Sequence, residues 1–162
     1  MDKESFTDYV NGINDYLKWH QVPILPREFV GFLKSLTSDD YLGIAIYATK
    51  QVEDPKSDRP TTFLNTWRLI KQIDEPLYNR GLKAYSNYRH RIAKLSSNSR
   101  RVAHNFLAHF EAAASSKFSD RMFEDAILTL IEMATKLTST QQVELERIHP
   151  GLRAAIRKMR NL

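Results

Sequence analysis

Apolar residues recur along almost the whole chain at intervals of three and four, the spacing of one face of an α-helix. Phe6, Tyr9, Val10, Ile13, Tyr16 and Leu17 predict a first helix over about residues 3–19. Pro23 and Pro26 end it, because proline lacks the amide hydrogen and its ring clashes inside a helix. Pro26 suits the first turn of the next helix, which carries Phe29, Val30, Leu33 and Leu36. Ser38 is placed to cap a third, with Asp39 and Asp40 at its positive end and Tyr41, Ile44, Ala45 and Ala48 inward.

Residues 53–61 are polar and turn-rich, the best candidate for a subdomain boundary. Thr62 can then cap a helix bearing Phe63, Leu64, Trp67, Ile70 and Ile73, and Asp74 caps another over about residues 75–95. The break Ser96–Ser99 precedes a helix to about Ala114, with Val102, Phe106, Leu107, Phe110 and Ala113 inward. Ser119 caps the next, whose stripe is Phe123, Ile127, Leu130, Ile131 and Ala134. Ser139 to Gln142 reads as a capping box, and His149-Pro150-Gly151 precedes a short terminal helix with Leu152, Ile156 and Met159. The run Gly43–Tyr47 is strand-like, but it has no hairpin partner and follows a helix cap. The expectation is an all-α chain, an irregular bundle of seven to nine helices with no sheet, forming a single helical domain over residues 1–162.

The absence of cysteine excludes a disulfide framework and a thiolate nucleophile. No apolar run approaches the roughly 18 residues of a membrane span. The N-terminal segment is acidic and polar rather than signal-like, so a cytoplasmic location is expected.

The charge is more informative than its total of +5. Residues 1–60 hold seven bases against ten acids, whereas residues 77–118 hold eight bases against Glu111 alone. On a helix at 100° per residue, Arg80, Lys83, Arg91 and Lys94 share an arc of about 80° opposite the apolar side chains. Surface helices usually mix charge signs, since opposite charges four residues apart stabilise them. Here no acid occurs between Glu75 and Arg101. Arg100 and Arg101 open the following helix, where cations oppose the helix dipole. Arg153, Arg157 and Arg160 form a second patch, within about 60° on the terminal helix.

A row of cations suits phosphates, which bind without regard to base sequence. The expected partner is therefore nucleic acid, DNA or RNA, held by Arg80, Lys83, Arg91, Lys94, Arg100, Arg101, Arg153, Arg157 and Arg160. The protein would act alone or as a small subunit of a nucleoprotein complex. The alternative partner is an acidic protein surface, with the chain as an adaptor or inhibitor anchored by Trp19, Trp67 or a tyrosine. A membrane partner is not expected, because the apolar faces are needed for the core. The acids of the N-terminal third are an internal alternative to any partner. Tyr78, Tyr85 and Tyr88 lie on the apolar arc, and at least two of them are expected to be buried with their hydroxyls at the rim.

No catalytic residue, cofactor or metal site is expected. His104 and His109 stand about 140° apart on a helix and cannot share a metal as an i, i+4 pair can. His20, His90 and His149 read as polar surface or rim residues. Arg100 to His104 leaves three intervening residues and Arg101 to His109 leaves seven. Neither is the Arg–His spacing used by helical ribonucleases of the HEPN family. A metal-independent nuclease built from His90, His104 and nearby arginines is the one enzymatic alternative.

Overall fold

The helical period of the sequence is realised in the structure, a computed structural model that describes residues 24–40, 42–44, 46, 63–115 and 120–161. Seven helices have defined bounds: α1 (Arg27–Lys34), α2 (Phe63–Ile73), α3 (Glu75–Ile92), α4 (Ser97–Ser115), α5 (Asp120–Ala134), α6 (Ser139–Glu146) and α7 (Leu152–Arg160). The described residues from 38 to 46 are helical too, among them Gly43, Ile44 and Ile46 of the run that could have been a strand. No strand occurs among the described residues, and the chain is an all-α bundle. The helix expected over 3–19, the loop at 53–61 and the caps at Thr62 and Ser119 lie outside the described residues.

Caps set most of the helix starts. The Asp74 carboxylate accepts the Leu77 amide at 3.0 Å, and Pro76 fits the first turn of α3 because it has no amide to satisfy. Two caps sit one residue earlier than the sequence suggested. Thr37, not Ser38, opens the helical stretch after α1: the Thr37 amide donates to Asp40 at 2.7 Å and the Asp40 amide donates to Thr37 Oγ1 at 3.3 Å. Thr138, not Ser139, opens α6, in a reciprocal pair with Gln141. In both places two hydroxyl residues are adjacent, and the partner three positions on selects the first. Gln142 is used differently, donating to the carbonyls of Ala134 and Leu137 at the end of α5.

Helix α3 stops at Ile92, three residues short of the predicted end. The amides of Lys94 and Leu95 reach back only three residues, to Arg91 and Ile92, so the last turn tightens before Ser96.

The main core gathers Ile24, Leu25 and Phe29 with Tyr85, Tyr88 and Ile92 of α3 and the inner faces of α4, α5, α6 and α7. A smaller cluster centres on Ile44, Ile70 and Leu77, with Phe32 and Trp67 packed against it. Helices α1 and α3 contribute to both, which ties the two clusters together.

Trp67 belongs to the smaller cluster. Its indole N–H donates to the Tyr78 carbonyl at 3.1 Å, and its ring lies edge-on to Phe32. Gly81 makes room for it: a Cβ there would stand 2.3 Å from Trp67 Cζ2. Gly81→Ala is therefore expected to displace the indole and lower stability by about 2 kcal/mol, although alanine is the better helix former. Urea unfolding monitored by circular dichroism checks this. An unchanged or raised midpoint would mean that the indole gives way freely.

Candidate nucleic-acid interface

The basic ridge of α3 is divided by the fold. Arg80 pairs with Asp40, whose side chain is almost fully buried. Arg91 Nη1 pairs with Glu28 Oε1 at 2.6 Å, and Arg91 Nη2 donates to the Arg147 carbonyl at 2.7 Å. Both carboxylates come from the acidic N-terminal third. Burial opposes ionisation of Asp40, but hydrogen bonds from Thr37 and the Arg80 charge outweigh it and hold its carboxyl below the usual range. Arg80 and Arg91 thus act as internal partners, and this corrects their assignment to an open binding surface.

Lys83 and Lys94 remain exposed, with the polar residues Asn87 and His90 exposed between them. Neither lysine forms an ion pair among the described residues. The division follows from helix geometry. Taking Arg80 as zero, the apolar arc of α3 is centred near 130°, and Lys83 and Lys94 fall within about 10° of the opposite line. Arg80 and Arg91 lie within about 60° of the apolar edge, close enough to reach groups on neighbouring elements. That offset was the signal available in the sequence for telling the two kinds of cation apart.

The turn from α3 into α4 carries the next cations. Arg100 and Arg101 are exposed on the first turn of α4 and form no ion pair among the described residues. The anion position at this helix start is already filled from within. Glu144 of α6 accepts the Ser96 amide and hydroxyl, each at 2.6 Å, and the hydroxyl of the buried Ser99 at 3.0 Å. These hydrogen bonds, the Ser96 hydroxyl foremost, hold the Glu144 carboxyl below its ordinary range. The serine run had suggested a break and gave no sign of Glu144 as its partner.

On α7, Arg157 and Arg160 are exposed, whereas Arg153 is half-buried and its backbone amide donates to Glu146 at 2.8 Å. Among the nine cations expected to bind, seven are thus left without an ion-pair partner among the described residues, and Arg80 and Arg91 are not.

The aromatic residues turn inward. Tyr85 and Tyr88 are buried and Tyr78 is half-buried, in keeping with their place on the apolar arc. Their hydroxyls do not all reach the rim. The Tyr85 hydroxyl donates to Glu111, and burial with that contact pushes its ionisation up to about 12. The Tyr88 hydroxyl is buried and donates to His149 Nε2 at 2.7 Å. His149, expected at a surface or rim, is fully buried instead, with Nδ1–H donating to the Ile24 carbonyl at 2.9 Å. Its ring packs edge-on against Tyr88 and Phe106.

His90 and His104 are exposed, and His109 Nδ1 lies 2.9 Å from the Asn105 carbonyl one turn back. Among the described residues, no three His, Asp or Glu side chains converge as a metal would require. No described helix is long and apolar enough to cross a membrane. Trp67, one of the anchors considered for a protein partner, is engaged in the smaller core, while Trp19 lies outside the described residues. No protein-family model matches the chain, and no curated protein or solved structure is significantly similar to it.

Proposed function

We propose that this is a non-catalytic helical protein of the cytoplasm that binds nucleic acid through its phosphate backbone, alone or within a nucleoprotein assembly. The observation that supports the reading is the exposed set Lys83, Lys94, Arg100 and Arg101, which has no ion-pair partner among the described residues. No acid stands between Glu75 and Arg101 in the sequence, and the Glu144 carboxylate that reaches this turn is engaged by Ser96 and Ser99. Cations gathered on one stretch raise the local positive potential, and a polyanion relieves it while releasing its condensed counterions. Arg157 and Arg160 supply a second exposed patch.

Phosphate contacts fix position without reading sequence, so the binding is indifferent to base order. The test is a paired charge reversal, Lys94→Glu with Arg101→Glu, read by fluorescence anisotropy on two unrelated oligonucleotides. Affinity should fall by at least about tenfold on both, and the slope of log affinity against log salt should shrink by about two. Both side chains are exposed, so the thermal midpoint should stay in place. Affinity unchanged at low salt would remove this face from the contact.

A further inference from the structure

We propose that the polyanion received by the Lys83–Arg101 face is a double helix rather than a single strand. The inference rests on the phosphate-binding reading and narrows it. Proteins that hold single strands combine cations with aromatic platforms on which bases stack, and each stacked base is worth roughly five- to a hundredfold in affinity. Among the described residues this face carries no such platform of Tyr, Trp or Phe. Tyr85 and Tyr88 are built into the core, and Tyr78 is half-buried with Lys71 set 5.7 Å from its ring. Trp67 is seated over Gly81. The large apolar side chains that stand well exposed among the described residues are all aliphatic, Leu42, Ile46, Leu69, Leu128 and Val143.

What the face offers is charge at fixed positions. Lys83 and Lys94 are eleven residues apart on one line of α3 and its closing turn, about 16 Å along the axis. Asn87 and His90 between them are exposed hydrogen-bonding groups. A duplex carries one phosphate charge per roughly 1.7 Å of axis and holds its phosphates in a regular array. It releases more counterion per contact than a single strand, with salt slopes of about −0.9 against −0.7 per phosphate. A single strand must also give up conformational freedom to align with a rigid row of cations, with no stacking in return.

The experiment measures anisotropy of the intact protein with four labelled probes of about 20 nucleotides and mixed sequence: duplex DNA, duplex RNA and an unstructured single strand of each. At about 0.1 M salt, at least one duplex should bind about tenfold more tightly than either single strand and with the steeper salt dependence. Preference for one duplex form would assign B-form or A-form geometry to the site. Single strands bound as tightly as duplexes, or more so, would overturn the inference and leave the phosphate reading standing. No binding to any probe at low salt would remove both.

Discussion

Replacing His149 by alanine is expected to destabilise the fold by about 3–4 kcal/mol, the sum of a buried cavity and two broken hydrogen bonds. The ring is fully buried between Tyr88 and Phe106. Its loss would remove the donor to the Ile24 carbonyl and the acceptor for the buried Tyr88 hydroxyl. Because Ile24 precedes α1 and Tyr88 belongs to α3, the imidazole also fastens the start of the described chain to the main core. At roughly 3 °C per kcal/mol, the melting temperature should fall by about 10 °C.

The same residue predicts a pH dependence. Burial drives the His149 pKa down from 6.5 to about 4; the bond to Ile24 opposes this, and the nearby Arg91 charge reinforces it. Arg91 is paired with Glu28, which also faces Tyr88, so these are the charges around the ring. In the unfolded chain the histidine takes up a proton as pH falls through 6.5, while the native state refuses one until about 4. Stability contributed by neutral His149 is therefore lost between those values as pH falls, by about 3 kcal/mol in all. Asp40 and Glu144, both held below their ordinary range, begin to lose their contributions as pH falls through their ordinary values of 3.8 and 4.5. Urea unfolding at pH 7 and pH 4.5 should show a steep loss in the native protein and a shallower one in His149→Ala. Equal pH slopes would contradict a buried neutral imidazole.

Sequence periodicity was enough for the helices because each apolar stripe is a local property. Ile127, Leu130, Ile131 and Ala134 are buried as their spacing required, and so are Leu152 and Ile156. What local pattern could not show is pairing across the fold. Glu28 is 63 residues from Arg91, and Asp40 is 40 from Arg80. Glu28 reaches Arg91 from α1 and Asp40 reaches Arg80 from the helical stretch after Thr37, and how these segments pack on α3 is encoded by no spacing within any of them. Glu144 reaches Ser96 across 48 residues for the same reason. His149 was misplaced because a histidine before Pro150 and Gly151 reads as part of a surface turn. The turn is there, with Gly151 at a φ of 78°, but the imidazole points back into the core. The split of the ridge was partly legible, since Lys83 and Lys94 stand farthest from the apolar arc.

Arg91→Gln is expected to have the second large effect. Among the described residues the change leaves Glu28, whose side chain is 7% exposed, with Arg27 at 3.9 Å as its cation. Glu28 Oε2 is already buried without a hydrogen-bond partner among the described residues. Removing one member of a buried pair typically costs about 3–5 kcal/mol; Arg91 retains some solvent contact, so about 2–3 kcal/mol is expected here. The bond to the Arg147 carbonyl at the end of α6 goes with it. Lys94→Gln, on an exposed side chain, should change stability by less than about 0.5 kcal/mol.

The measurement that bears most directly on the division of the ridge compares native protein, Arg91→Gln and Lys94→Gln by thermal melt and by duplex-binding anisotropy, below every melting transition. Arg91→Gln should melt about 6–9 °C lower yet bind within about twofold of native. Lys94→Gln should melt with the native protein, bind several-fold more weakly and lose about one unit of salt slope. If both substitutions weaken binding alike, or if Lys94→Gln leaves it untouched, the separation of structural from phosphate-contacting cations is wrong.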